Sequence, residues 1–420
     1  SITHPENDLT LTNISLSGQA TNGGQRIPAS SSVALKKISA RANSGKISGE
    51  VMISNLEQPL FDIDLNTEIS ATEFLSWLGI DDIQATNGTI KADLYFTGKT
   101  NNEGQFSENE LLAADILGSL LFRDINFYTN NSPLHYKSFN GLLQLTENGI
   151  LIIDELTGLA GQSDISVSGT VYNLLPYLFI NRETLHVDAT LASKSLFLDE
   201  LLIQSNQSSG SNYHLSFPEH LHLDLNAEID KLSFRRFKAE KISAQATMIN
   251  QQLYTDQLYF KTMDGSVQMT GTINAGIDGE INLTTRAHLQ DVDIHQLFHQ
   301  TENFGQNSII DENIYGRVTA DIDFFSLWSP NLIINWDYLA TSASLTIEDG
   351  RLVNYQPMQA LGRFIRAGDL NDVAFSTLTN EIYISDQKVF IPAMEIRSNI
   401  LNLDLSGEHG FGNEIDYRLR

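Results

Sequence analysis

The stretch that decides the fold is Phe61-Asp-Ile-Asp-Leu-Asn-Thr-Glu-Ile69, in which apolar and polar residues alternate. Side chains in a β-strand point alternately to opposite faces of the sheet. The alternation therefore predicts a strand with one apolar face and one acidic, polar face. The apolar face carries Phe61, Ile63, Leu65 and Ile69.

Three other segments repeat this pattern. Leu221–Ile229 copies it almost residue for residue, Ile281–Leu289 repeats it again, and Leu185–Leu191 is a weaker copy. Each segment predicts a strand with one dry face and one wet face. The sequence therefore predicts a mainly β protein built from repeated antiparallel strands.

An apolar residue follows each of these strands at the same distance and predicts a short helix at the sheet margin. Ser70 and Glu73 have the spacing of a capping box, which begins helices. The apolar side of each short helix would then pack on the sheet. Five residues after the last apolar residue of the four strands come Phe74, Leu196, Phe234 and Ile294.

A hairpin unit that ends in glycine also recurs, with its best copies ending at Gly169, Gly271 and Gly407. The pairs Asn148-Gly149 and Asp264-Gly265 favour tight hairpin turns because they tolerate positive φ. The reuse of one supersecondary unit, at irregular spacings well above the usual range of about 20–50 residues, predicts an array rather than one closed globule. We divide this array into units at residues 1–110, 111–204, 205–312 and 313–420.

The composition excludes several classes of protein. The chain of 420 residues has 52 Asp and Glu against 26 Lys and Arg, a net charge of −26. So acidic a chain is a poor ligand for phosphate backbones, and the absence of Cys removes thiolate chemistry. The chain starts at Ser1 and stops within an alternating segment. We therefore expect an internal piece of a longer protein.

Residues that suggest catalytic or metal sites fall short of the patterns that such chemistry needs. The stretch from Asp62 to Glu73 spaces oxygen ligands as in a calcium-binding loop, but Thr67 stands where that loop needs glycine. His295 and His299 are one helical turn apart and lack a third ligand at a suitable spacing. The sequence therefore predicts no catalytic residue, no metal site and no cofactor.

The combined pattern resembles the AsmA-like family of envelope proteins. The resemblance rests on the long strand and short helix at Ile281–Phe298 and on the strand ends at Ser163–Gly169 and Gly265–Gly271. It is strongest over Ser342–Arg420, where a helix is predicted at Pro357–Ala367. That stretch is similar to the C-terminal region of the family.

The resemblance implies both a fold and a function. The fold would be an elongated, twisted antiparallel sheet curled into an open groove with an apolar interior. The protein would lie in the periplasm, anchored in the inner membrane by a segment outside this chain. It would bind or conduct phospholipid acyl chains without enzymatic activity, in support of outer-membrane biogenesis or lipid homeostasis.

The apolar strand faces supply the candidates for lining such a groove. The plainer alternative is that these residues form the core of a closed sandwich or of a capped sheet. Two other functions stay open: a β-rich surface adhesin or glycan-binding protein, and an enzyme that uses clustered acids. The groove candidates are Phe61, Ile63, Leu65, Ile69, Val187, Leu191, Leu223, Leu225, Ile229, Val267, Met269, Leu283 and Leu289.

Overall fold

The computed structural model describes residues 2–4, 9–101, 105–130, 132–146, 149–179, 183–203, 213–277, 279–306, 309–356, 370–398, 402–412 and 414–420. In these residues the chain is mainly β with short helices, so the predicted fold class is confirmed. The contacts divide the chain into two units. The first unit comprises Ser1–Ala192, Ile203–Asn206 and His220–Asp224, and the second comprises Ser193–Leu202, Gln207–Glu219 and Leu225–Arg420. The division into four repeated units stays a prediction.

The first unit is an antiparallel meander in which each strand pairs with the next along the chain. Its strands are β1 Ile2–His4, β2 Leu9–Thr21, β3 Ser32–Arg41, β4 Lys46–Ser54, β5 Leu60–Ser70, β6 Ile83–Lys99, β7 Asp115–Thr129, β8 His135–Leu145, β9 Leu151–Ala160, β10 Ser163–Tyr172 and β11 Leu185–Ser193. Its helices are α1 Ala71–Leu78, α2 Glu108–Leu112 and α3 Leu174–Phe179.

From the third of its strands onward, the second unit has the same antiparallel order. Before that meander, a two-residue strand pairs in parallel with the strand that follows it. The strands are β12 Leu196–Phe197, β13 Leu221–Phe234, β14 Phe237–Ile249, β15 Gln252–Thr262, β16 Gly265–Ile277, β17 Glu280–Asp293, β18 Ile314–Trp328, β19 Ile334–Val353, β20 Asp372–Ser385, β21 Lys388–Arg397, β22 Asn402–Gly410 and β23 Ile415–Leu419. The helices are α4 Leu198–Leu201 and α5 Ile294–Gln300.

Antiparallel register joins the apolar faces of neighbouring strands into one surface. Ile63 on β5 lies directly opposite Val51 on β4 and Phe96 on β6. Residues that face each other directly in an antiparallel pair lie on the same side of the sheet. The predicted alternation is therefore confirmed. We call this apolar side of each unit, which carries the groove candidates, its inner face.

Helix α1 covers one margin of the inner face in the first unit, as the position of Phe74 predicts. The Ser70 side chain caps the helix by accepting a hydrogen bond from the Glu73 amide, at 3.2 Å. Gly79 ends the helix in the left-handed conformation, with φ of 67°. Phe74 packs into one buried cluster with Ile69, and burial of each large side chain contributes about 1.5–3 kcal/mol.

Glu73 does not complete the predicted capping box. Its carboxylate accepts hydrogen bonds from the amides of Asn43 (3.0 Å) and Ser44 (2.8 Å), in the turn between β3 and β4. The Ser70 amide donates to the Ser44 hydroxyl at 2.8 Å. Turn amides have no strand partner and need an acceptor, which Glu73 provides. The helix start is therefore tied to the neighbouring hairpin.

No helix follows the strand at Leu221–Ile229, so this part of the prediction is wrong. β13 continues to Phe234 because the alternation resumes at Leu232, and the chain then turns at Arg235, whose φ is 53°. Short helices do follow the other strands: α1 after β5, α4 shortly after β11, and α5 directly after β17. Phe234 is therefore part of a long strand and not the anchor of a marginal helix.

The hairpin predicted at Asp264-Gly265 turns one residue earlier than expected. Met263 and Asp264 are the two turn residues, with φ of 50° and 57°, and Gly265 already pairs with Thr262 as the first residue of β16. Positive φ at both central residues is the geometry that two-residue hairpins need. Asn148 and the predicted helix at Pro357–Ala367 lie outside the described residues.

The helices are short compared with a lipid bilayer. Helix α1 has 8 residues, whereas crossing the hydrocarbon core takes about 20. Within the described ranges, none of the helices combines the length and the apolar character that a membrane span requires.

Two isoleucines on β5 test whether the inner face is covered unevenly. Ile69 is 1% exposed beneath α1, whereas Ile63 on the same face is partly exposed. We expect Ile69→Ala to lower the free energy of unfolding by about 2–5 kcal/mol, because it leaves a cavity in a packed core. Ile63→Ala should cost at most about half as much, since less buried area is lost.

Chemical denaturation of the two variants measures this difference. Because the substitution, the strand and the face are the same, the comparison isolates the effect of the covering helix. Equal losses of stability would show that the inner face is buried evenly along β5.

Candidate functional site

The inner face of the first unit is continuous from β5 to β11. Directly opposed residues form two transverse rows that each cross these seven strands. With strands roughly 4.8 Å apart, each row is about 29 Å long. The first row is Leu65, Leu94, Gly118, Leu145, Leu151, Val171 and Val187. The second is Ile69, Ile90, Phe122, Gly141, Leu156, Val167 and Leu191.

These rows connect groove candidates that are more than a hundred residues apart in the sequence. Leu65 shares a row with Val187, and Ile69 shares a row with Leu191. Gly118 lies within the first row with φ of 151°, and a Cβ there would come within 2.2 Å of the Asp93 carbonyl oxygen. Glycine can adopt this backbone conformation, which would be strained for a larger residue. Because it has no side chain, it also leaves a shallow depression in the inner face.

The second unit carries a corresponding inner face from β15 to β20. Met269, Val267, Leu289 and Leu283 lie on three of its rows. The row through Met269 is Leu258, Met269, Ala287, Ile322, Ala343 and Ile382. The row through Val267 and Leu289 is Phe260, Val267, Leu289, Ala320, Leu345 and Asn380. The row through Leu283 is Leu253, Ile273, Leu283 and Ser326.

The groove candidates differ in how far they are covered. Ile69 is 1% exposed, and Ile229, Val267 and Leu289 are each 7% exposed. The remaining candidates are partly exposed, which includes Leu223 in the first unit and Leu225 in the second. Each inner face is therefore a buried core near one margin and a partly exposed apolar surface over its middle rows.

The opposite margin of the first unit is also covered, by residues that the sequence analysis missed. The ring of Phe106, which follows β6, lies 5.4 Å from the rings of both Phe61 and Phe96. Helices α2 and α3 contact each other although they follow strands β6 and β10. The sequence did contain a signal for this contact, because Phe106 is an aromatic residue within an otherwise polar loop. The partly exposed rows thus lie between two covered ends.

The sheet of the second unit curls, because strands far apart in its order come into contact. The Arg235 guanidinium, just before β14, donates to the Leu332 carbonyl in the β18–β19 turn at 3.3 Å. The Leu215 amide donates to the Pro330 carbonyl in the same turn at 2.9 Å. In a flat sheet β14 and β18 would be about 19 Å apart, too far for an arginine to reach. The accumulated twist and curl of the strands close this distance.

A cavity of about 470 Å³ lies where the β18–β19 hairpin ends, in the second unit. Trp328 and Trp336 line it, and Trp328 lies opposite Ile281 and Ile334 on the inner face. The cavity therefore lies at the end of the inner face, beside the row that contains Leu283. Its other lining residues are Gly279, Glu280, Leu327, Ser329, Pro330, Ile333, Ile334, Asn335, Asp337 and Gln387.

The outer faces carry the charge that the alternation predicts. Arg123 pairs with Glu68 at 3.1 Å in the first unit, and Arg286 pairs with Asp323 at 2.8 Å in the second. These exposed pairs contribute about 1 kcal/mol or less each. A cleft of about 510 Å³ in the second unit, which we call the polar cleft, is lined by Tyr259, Gln268, Arg286, His288 and Asp321 of this side and also by Leu258, Met269 and Ala287.

The side chains that suggested metal binding have partners within the protein. The hydroxyls of Thr97 and Tyr95 each donate to Asp62 at 2.7 Å, and these bonds hold the pKa of the Asp62 carboxyl below its usual value. His295 contacts the Asp311 carbonyl at 2.7 Å, and His299 contacts the carboxylate of the same residue at 2.8 Å. The described part of the chain contains no cluster of three or more metal-ligating side chains.

Comparison with known proteins adds no information on the family or the function of this chain. No protein-family model, no curated protein and no solved structure matches this chain. The fold and the inner faces therefore stand on the register and burial described above, and the resemblance to the AsmA-like family stays a prediction.

His409 makes the stability of the second unit depend on pH. It lies on the inner face of β22, directly opposite Val389 and Ile415, and burial lowers the pKa of its imidazole. Burial also raises the pKa of the neighbouring Tyr417 to about 12. Because the folded state disfavours protonated His409, the unfolded state binds more protons as the pH falls. The contribution of neutral His409 to stability is therefore fully present above the ordinary imidazole pKa of about 6.5 and decreases as the pH falls below it.

Denaturation midpoints measured between pH 7.5 and pH 5 test this expectation. The wild-type midpoint should fall across this range, and His409→Gln should flatten that dependence. His135→Gln is the control, since it removes an exposed histidine on β8 and should keep the slope. An unchanged slope in His409→Gln would assign the pH dependence to other groups.

Proposed function

We propose that this chain is a non-enzymatic protein of the bacterial envelope that binds or conducts phospholipid acyl chains along its inner faces. The observation that carries the proposal is the pair of unbroken apolar rows from β5 to β11, whose middle is partly exposed. Contiguous apolar surface that a protein leaves uncovered marks a site of interaction with another molecule.

An acyl chain suits this surface better than a peptide would. A bound peptide strand needs hydrogen-bonding partners for its backbone, whereas hydrocarbon needs none. The rows from β5 to β11 consist of apolar side chains and glycine. Thr67 lies on the same face, but its hydroxyl is already bonded to the Lys46 carbonyl at 3.1 Å. Each methylene that leaves water for such a surface contributes about 0.8 kcal/mol.

We further propose a periplasmic location and membership of the AsmA-like family. The support is the sequence resemblance, which is strongest over Ser342–Arg420, together with the mainly β fold. In such a protein the inner faces would serve outer-membrane biogenesis or lipid homeostasis. Any anchor in the inner membrane would belong to segments outside this chain.

Photo-crosslinking at neighbouring positions tests the proposal. A photo-reactive amino acid is placed at Leu65 or at Asp64, which point to opposite faces of β5. Leu225 and Asn226 form the matching pair on β13. After irradiation in a two-membrane bacterium, mass spectrometry should find phospholipid adducts at Leu65 and Leu225. The outer positions should be labelled at least about tenfold less, because their side chains point away from the face.

The paired design separates lipid binding from non-specific labelling. Equal adducts at inner and outer positions would mean that lipid merely adheres to the chain. Absence of adducts at all four positions, in protein that is folded, would refute the proposal.

A glycan-binding role is the second candidate, and the polar cleft of the second unit favours it. Tyr259 could stack on a sugar ring, while Gln268, Arg286 and His288 offer hydrogen bonds. A glycan array decides between the two functions. Clear binding that Arg286→Ala abolishes, in a chain that carries no acyl adduct, would support the glycan role.

A further inference from the structure

We propose that the tryptophan-lined cavity of the second unit binds the ammonium group of a zwitterionic phospholipid headgroup. This inference rests on the proposed acyl-chain function and names its lipid class. The cavity of about 470 Å³ contains two of the three tryptophans of the chain, Trp328 and Trp336. Organic ammonium groups bind to the faces of aromatic rings, and tryptophan is the strongest such partner.

The charge of the cavity also fits a cation. Glu280 and Asp337 line it, and its lining, as far as the structure describes it, includes no lysine or arginine. Two basic side chains beside this lining have partners within the protein: Lys388 follows the lining residue Gln387, and Arg235 donates to the Leu332 carbonyl of the β18–β19 turn. Lys388 pairs with Glu408 at 2.7 Å, and the Arg235 guanidinium lies over the ring of Tyr213 at 5.0 Å. An anionic headgroup would therefore meet two carboxylates in the lining and no lysine or arginine of the lining to compensate its charge.

Contacts outside the cavity hold both indoles in place. Trp328 donates its Nε1 hydrogen to the Ser326 hydroxyl at 2.7 Å, and Ser326 is fully buried. Trp336 packs edge to face on Phe411, with ring centroids 5.7 Å apart. Asp337 accepts a hydrogen bond from the Gln387 amide across the hairpin tips. A site whose groups are fixed before binding loses little freedom when the ligand arrives.

The position of the cavity matches an amphipathic ligand. Trp328 lies in the same cross-strand row as Ile281, and Leu283 follows two residues along the inner face of β17. A headgroup held between the tryptophans would therefore place its acyl chains at the end of the partly exposed apolar surface. The same ammonium chemistry occurs in free choline, so the test must separate the lipid from a soluble amine.

Intrinsic fluorescence provides the binding signal. In a Trp77→Phe background the remaining tryptophans are Trp328 and Trp336, so quenching reports on the cavity. The probes are dihexanoyl phosphatidylcholine, phosphatidylethanolamine and phosphatidylglycerol, with choline chloride compared against sodium chloride at equal ionic strength. We expect the two zwitterionic lipids to bind at least about tenfold more tightly than phosphatidylglycerol and than choline.

Matched variants test the named groups. Trp336→Leu, and Glu280→Gln combined with Asp337→Asn, should reduce zwitterionic affinity to the phosphatidylglycerol level in a scintillation or calorimetric assay. The controls are Tyr338→Leu and Asp386→Asn, which alter a nearby aromatic ring and a nearby carboxylate outside the cavity lining. Both controls should keep the headgroup preference, and circular dichroism verifies folding.

Three outcomes would overturn the inference. The first is equal affinity for all three lipids, the second is a preference that survives the cavity variants, and the third is choline binding as tightly as the lipid. Acyl adducts at Leu65 are measured in the first unit, so they report on the proposed function separately. Acyl adducts at Leu65 without a headgroup preference would refute only the headgroup site. Absence of the adducts and of the preference would refute both the headgroup site and the proposed acyl-chain function.

Discussion

The structure depends on one constraint: residues directly opposite in antiparallel strands must share a face of the sheet. Because every strand from β5 to β11 keeps its apolar parity in register, a pattern local to each strand becomes a continuous surface. Ile69 and Leu191 end up on one row although they are far apart in the chain. Glycines such as Gly118 lie within these rows, where the backbone conformation excludes larger residues.

An apolar face of this extent must be covered or occupied, and this protein covers it in parts. Helix α1 buries Ile69 and Phe74 at one margin, and Phe106 lies over Phe61 at the other. The middle rows stay partly exposed. Many acidic residues, such as Asp64 and Glu68 on β5, lie on the opposite parity of the same strands and form a hydrated outer surface. The charge keeps a one-sided sheet in solution and needs no substrate to explain it.

The two proposed interactions use different parts of the inner faces. Acyl chains would occupy the middle rows of the first unit, which consist of apolar side chains and glycine. A cationic headgroup would occupy the end of the β18–β19 hairpin, where tryptophans and carboxylates converge. This separation follows from the geometry of long strands. Residues in the middle of a strand have neighbouring strands on both sides, whereas residues at its ends also meet turns and helices. Turns and helices supply the chemistry that the strands lack.

The sequence by itself determined the strands, their apolar parity and the start of α1 at Ser70, since these features depend on residues only a few positions apart. It missed the extension of β13 to Phe234 and the turn at Met263, where short-range preferences compete closely. Only the tertiary structure decided which residues meet: Glu73 with Ser44, Phe106 with Phe61, and Arg235 with the β18–β19 turn. Such contacts depend on register, twist and curl accumulated over many strands, and a pattern that repeats every second residue carries no information about that sum.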